Sequence, residues 1–148
     1  MGQQQLLLLV LGIVIVGLAV VAGINAFEDN QQKSEKDALV NEAMRIATDV
    51  QANVAKPSQL GGGGGENYPS DLTEVGYSEE GTPDNPYTTP WGNVVYSSGT
   101  DSTDTNLTLK PKSVDQTATI KIPKSGSPQL ESSDDSGTWS SSSTGDDS

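Results

Sequence analysis

The chain has 148 residues, 20 of them acidic and 8 basic, which gives a formal net charge of −12. It contains no cysteine and no histidine, so disulfides, thiolate chemistry and the commonest general base and metal ligand are excluded. The scattered basic residues do not form the cluster that phosphate binding requires, which argues against nucleic acid as a partner. Because no nucleophile motif or carboxylate pair appears either, we expect that the protein is not an enzyme.

A membrane-length apolar run lies near the N-terminus. Residues 6–24 contain no charge and no amide. At about 1.5 Å per residue, this run spans roughly the 30 Å hydrocarbon core of a bilayer. We therefore predict a transmembrane segment over residues 6–27.

The helical pattern continues beyond this segment. Apolar residues recur at steps of three or four on one stripe, while polar residues occupy the other positions. The members of this stripe are Leu39, Ala43, Ile46, Val50 and Val54. The pattern predicts one helix from about Gln4 to Ala55, ended by Pro57, within an N-terminal region 3–56.

A small sheet is predicted after the helix. Five glycines at 61–65 indicate a flexible connection, and β-branched or alternating patterns predict strands at 93–98, 106–110 and 117–122. These strands form a globular β domain over residues 57–123. The expected fold is α+β, with the long N-terminal helix packed on a small antiparallel sheet.

The C-terminal segment 124–148 is rich in serine and aspartate and contains the single aromatic residue Trp139. Such a composition buries too little apolar surface to offset the cost of ordering the backbone. We predict a disordered tail, and the sequence leaves open whether Trp139 docks on the sheet or is exposed.

A glycine directly before an apolar helix that continues into an amphipathic half and a small sheet resembles the type IV pilins and the pseudopilins of type II secretion. The resemblance implies that a prepilin peptidase removes the leader, residues 1–2, after Gly2, so that the mature chain begins at Gln3. The sequence departs from the family at Leu7, which corresponds to a position where the family typically carries a glutamate.

The segment "TPWGNVVY" at 89–96 is similar to a motif of the major pseudopilins and related pilins. Pro90 and Gly92 favour a turn that enters a strand. Trp91 can bury a large apolar area beside the helix, and Tyr96 completes the motif. Because any small β domain can use a tryptophan as a core anchor, this motif also has a purely structural interpretation.

Small residues interrupt the apolar helix. Glycine is frequent in membrane helices, but small residues also allow close contact between helices, and Ala19 and Gly23 form such a pair. The resemblance implies that this helix packs in the core of a filament. The residues assigned to that core are Leu6, Leu7, Gly12, Gly17, Ala19 and Gly23.

The resemblance also implies calcium as a candidate cofactor. Major pseudopilins often bind calcium in a loop, and Asp84, Asp101 and Asp104 are candidate oxygen ligands here. Aspartates in loops are usually solvated turn residues, and the spacing of a dedicated calcium loop is absent.

The resemblance implies a structural subunit of a pilus-like filament. Its partners would be other copies of the chain, prepilin peptidase, the inner-membrane assembly machinery and, before assembly, membrane lipid. It would reside in the inner membrane and then in an extracellular or periplasmic filament. The alternative is a monomeric periplasmic or cell-surface protein that is anchored or secreted by its N-terminal segment.

Overall fold

The computed structural model describes residues 2–99, 105–131 and 139–141. These residues belong to two compact units, Met1–Ser34 and Glu35–Ser148. One helix, α1 (Gly2–Ala55), supplies residues to both units. The predicted single helix is therefore confirmed, and it ends before Pro57, whose ring cannot continue the backbone hydrogen-bond pattern.

Short strands form an antiparallel sheet in the second unit. In chain order they are β1 (Tyr87–Thr89), β2 (Gly92–Ser97), β3 (Asn106–Pro111), β4 (Gln116–Lys121), β5 (Gln129–Glu131) and β6 (Ser140–Ser141). Strands β1 to β5 are ordered β1-β2-β3-β4-β5, and β6 pairs with β4 beside β5. Every pairing is antiparallel, as expected for strands that follow one another through short connections.

The core of the second unit lies between α1 and one face of the sheet. The predicted apolar stripe of α1 is buried, as are the inward-facing residues of β2, β3 and β4. The largest fully buried side chains of this core are Leu39, Ile46, Leu72, Leu107, Leu109, Ile120 and Ile122. Fully burying a side chain of this size contributes about 1.5–3 kcal/mol, so this small core depends on each of them.

The three predicted strands correspond to β2, β3 and β4, whereas β1, β5 and β6 were not predicted. Strands β5 and β6 lie within the segment 124–148 that was predicted to be disordered. They form because Leu130 and Trp139 pack against the core from this otherwise polar segment. Residues 132–138 and 142–148 of that segment lie outside the described residues.

The glycine run at 61–65 forms an ordered cap on the C-terminal end of α1, where a flexible connection was expected. The Gly63, Gly64 and Gly65 amides donate hydrogen bonds to the Asn53, Lys56 and Val54 carbonyls at 3.0, 2.9 and 2.7 Å, respectively. The Asn53 and Val54 carbonyls lie in the last turn of the helix, where no intrahelical donor is available, and Lys56 directly follows that turn. A Cβ added at Gly63 would lie 1.9 Å from the Asn67 carbonyl oxygen, so glycine is required by close approach.

Candidate functional site

The principal candidate site is the surface of the apolar segment, which we define as residues 6–24 of α1. No residue of its most apolar stretch is buried, and Leu7 is 71% exposed. Phe27, just beyond it, is 70% exposed. Soluble monomers rarely expose a continuous apolar surface of this extent, so the segment requires an environment or a partner outside the chain.

The residues assigned to filament packing all lie on this uncovered surface. Leu6, Leu7 and Ala19 are exposed along the helix. A Cβ added at Gly12, Gly17 or Gly23 would meet no atom within 4 Å. Packing among the described residues therefore does not require these three glycines.

The two predicted processing residues lie at the start of α1. Gly2 and Gln3 are helical and exposed, and a Cβ added at Gly2 would also meet no atom within 4 Å. Their position leaves the Gly2–Gln3 peptide bond on the surface. This placement does not itself test cleavage, which stays a prediction.

The tryptophan motif closes the turn between β1 and β2, but it does so without burying its tryptophan. Trp91 is 40% exposed, so the expected burial beside α1 is not observed. Gly92, and not Trp91, lies against α1: a Cβ added at Gly92 would lie 3.0 Å from Leu39 Cδ2. The hydroxyl of buried Thr89 donates to the Gly92 carbonyl at 2.7 Å and accepts from the Gly92 amide at 3.1 Å.

The other two residues of the motif differ in their surroundings. Pro90 is exposed, whereas Tyr96 is 3% exposed and donates its hydroxyl to the Pro69 carbonyl at 2.9 Å. Burial raises the pKa of Tyr96 well above its ordinary value. Tyr96 thus connects β2 to the segment that follows the glycine cap, and its role here is structural.

The predicted calcium ligands are not brought together by the described residues. Asp84 lies exposed in a turn that the Asn85 amide closes by donating to the Thr82 carbonyl at 3.1 Å. Asp101 and Asp104 lie outside the described residues. Within the part of the chain that the structure describes, no three Asp, Glu, His or Cys residues are grouped as metal ligands.

A polar cleft that the sequence did not indicate lies beside the second half of α1. It has a volume of about 380 Å³, and its lining includes Arg45, Asp49, Tyr77 and Tyr87. The Tyr77 hydroxyl donates to Asp49 Oδ2 at 2.6 Å, and the two tyrosine rings meet edge to face with centroids 5.2 Å apart. These residues are far apart in sequence, and their types do not form a recognisable motif.

The electrostatics of this cleft are set by its internal pairing. Burial, followed by the hydrogen bond to Asp49, raises the pKa of Tyr77, and hydrogen bonding with Tyr77 raises the pKa of Arg45. The tyrosine therefore stays neutral and the arginine charged at neutral pH. Tyr and Arg are enriched in the energetic centres of protein interfaces, so the cleft can serve as a contact surface.

Comparisons of the chain with models of protein families, with curated proteins and with solved structures found no match. The sequence and the fold therefore carry the functional assignment. They establish a helix, Gly2–Ala55, that is long and apolar enough near the N-terminus to act as a membrane anchor or a signal sequence. An association with a membrane, or export through one, follows from that chemistry.

Proposed function

We propose that the protein is a structural subunit of a type IV pilus-like filament, in which the apolar segments of many copies pack together. The observation that carries this proposal is the contrast along α1. Its second half is covered by the sheet of its own chain, whereas no residue of the most apolar stretch of its first half is buried among the described residues. Such a helix needs lipid before assembly and other helices after it.

The energetics require one apolar environment to replace the other. Leu, Ile and Val each contribute about −0.3 to −0.6 kcal/mol at the centre of a membrane helix, so insertion of the segment is favourable by several kcal/mol. Leaving the bilayer loses this free energy unless helix–helix contacts restore it. In the family that the sequence resembles, a cytoplasmic ATP-driven motor supplies the work of extraction.

The glycines support contacts between chains. Because Gly12, Gly17 and Gly23 have open space where a Cβ would lie, their small size is available to an approaching helix. Helices in apolar surroundings associate chiefly through close packing, which small residues permit. The same positions in a water-soluble core helix would normally carry larger side chains that fill the space.

The acidic surface of the second unit would be exposed to solvent in such a filament. This unit contains nearly all the charged residues of a chain whose net charge is −12. Negative charge on the outer surface limits clumping between filaments. The proposed partners are copies of the same chain, prepilin peptidase and the inner-membrane assembly machinery, and the proposed location is an extracellular filament or a periplasmic pseudopilus.

The alternative function is a monomeric protein that is anchored or secreted by its N-terminal segment. It is favoured by one observation, which is that the apolar segment lies near the N-terminus, where signal sequences also occur. Against a secretory signal, the residues before the segment carry no basic side chain. A plain anchor would stay uncut.

The N-terminus of the native protein separates these proposals. Mass spectrometry is expected to find Gln3 as the first residue of a processed filament subunit. A terminus at Phe27 would indicate a secretory peptidase, and an intact Met1 would indicate a plain anchor. Either result contradicts the filament proposal.

A matched pair of glycine variants extends the test to assembly. Gly2→Leu is expected to block processing and to abolish fibres in electron micrographs of sheared cell-surface material. Gly12→Ala, which adds a side chain away from the cleavage position, is expected to leave Gln3 as the first residue. Normal fibres from the Gly2 variant would contradict the assignment.

A further inference from the structure

Strand β4 is covered on its outer edge by two separate strands from the C-terminal segment. Its Thr119, Ile120 and Lys121 pair with Glu131, Leu130 and Gln129 of β5. Its first two residues, Gln116 and Thr117, pair with Ser141 and Ser140 of β6. Without these two strands, β4 would present a row of open backbone donors and acceptors to solvent.

Side chains hold the two covering strands in place. The Lys121 ammonium lies 2.6 Å from Glu131 Oε1, and Leu130 packs against the core. At the other end, Trp139 packs against the core next to β6, and Lys36 Nζ lies 5.5 Å from the centroid of its ring. Lys36 also donates to the Gln116 side chain.

The opposite edge of the sheet, strand β1, is protected by a side chain. On β1, the Thr88 amide donates to Glu79 Oε2 at 2.5 Å. This amide is therefore not available to donate to an added strand. An acidic side chain at this edge also repels the acidic surface of a second copy. The two edges thus differ, because one is blocked by a charge and the other is blocked only by paired strands.

The sequence of β4 suits pairing with another strand. Residues 117–122 read TATIKI, in which four of the six side chains are β-branched and Lys121 is the one charged residue. A β-branched strand of low charge is the pattern that associates when its edge is open. Two antiparallel copies of the same edge can also be related by a two-fold axis, which is the commonest symmetry of protein pairs.

We propose that β5 and β6 are an intramolecular cover over the β4 edge, and that the uncovered edge binds the β4 edge of a second copy of this chain. The cover keeps the sheet from associating edge to edge. This inference does not depend on the filament proposal, because it concerns the sheet and makes no use of the apolar segment.

Single cysteines test the proposal, because the native chain contains none. Thr117→Cys reports on the β4 edge. Residues that face each other across an antiparallel pair are close enough for a disulfide. We expect little oxidative cross-linking in the full chain in detergent micelles, and at least a tenfold increase in a chain that ends at Ser127 and therefore lacks both covering strands.

A matched control isolates the edge from other contacts between copies. Thr108→Cys lies on β3 inside the sheet, next to Thr119 of β4 in the register. It is expected to stay uncross-linked in both chains, whereas association through the apolar segment would affect both cysteine positions alike. Equal cross-linking at positions 108 and 117 would overturn the proposal.

A milder variant keeps the test decisive if the shortened chain unfolds. Trp139→Ala retains β5 but removes the side chain that docks next to β6. It is expected to increase cross-linking at Thr117→Cys, which faces β6, and to leave a cysteine at Thr119, which faces β5, unchanged. No increase at position 117 in this variant, with its circular dichroism unchanged, would overturn the proposal.

Discussion

The two halves of α1 place similar side chains in opposite surroundings. Ile15, in the first unit, is 57% exposed, whereas Ile46, in the second unit, is fully buried. Both are isoleucines on the same helix. The difference lies in the sheet, which packs on the second half, whereas no residue of the most apolar stretch of the first half is buried among the described residues.

This comparison separates folding from assembly. In the second unit, burial of the helix stripe stabilises the fold of the chain itself. In the first unit, the apolar side chains are exposed. The free energy of burying them is therefore available to contacts with lipid or with other copies. Substitutions in the two halves should therefore affect different measurements.

The largest expected effect comes from the isoleucine pair. Ile46→Ala is expected to destabilise the second unit by about 2–5 kcal/mol, because it leaves a cavity in a small core. Ile15→Ala is expected to leave the thermal unfolding of the second unit unchanged. Near-ultraviolet circular dichroism of the full chain in detergent micelles measures both. Equal destabilisation by the two variants would contradict the claim that only the second half of α1 stabilises the fold of the second unit.

A glycine pair gives the next effect. Gly63→Ala is expected to destabilise the second unit by about 1–3 kcal/mol, since the new Cβ would collide with the Asn67 carbonyl and disrupt the cap of α1. Gly12→Ala meets no atom and is expected to leave the same unfolding transition in place. An unchanged unfolding transition in Gly63→Ala would contradict the assignment of the glycine run as an ordered cap.

Tyr96 predicts a dependence on alkaline pH that belongs to the second unit alone. Its pKa is raised in the folded state, so the stability it contributes is fully present below the unfolded value of about 10. That stability is lost as the pH rises from there toward the folded pKa. Tyr96→Phe is expected to cost about 1 kcal/mol at neutral pH and to make the alkaline loss shallower in denaturant titrations. An unchanged alkaline slope would contradict this account.

The smallest effect is expected where α1 enters the second unit. Lys36→Met removes a cation that contacts the Trp139 ring, which is worth about 0.5–1 kcal/mol at a partly exposed site. In a Trp91→Phe background, the emission of Trp139 is expected to shift toward that of a solvated indole. Lys33→Met, on the first unit, serves as the control and is expected to leave the emission in place.

The sequence predicts those elements of the fold in which apolar residues recur at a regular spacing. Leu39, Ala43 and Ile46 recur at helical spacing, so the amphipathic half of α1 and its buried face follow directly. Alternation around Leu107 and Ile120 likewise predicts β3 and β4. Membrane compatibility of residues 6–24 follows from composition alone.

The remaining parts depend on contacts that leave no local pattern. Strands β5 and β6 are short and polar, and they form because Leu130 and Trp139 reach a core built by distant residues. The glycine cap looks like a flexible run until the carbonyls of Asn53 and Val54 are placed beside it. The cleft of Arg45 and Tyr77 likewise exists only after the chain has folded.

Electron microscopy of material sheared from the surface of cells that produce the protein tests the central claim most directly. The account predicts fibres whose interior consists of residues 6–24 packed against the same residues of neighbouring copies. Separate molecules that lack this segment would contradict it.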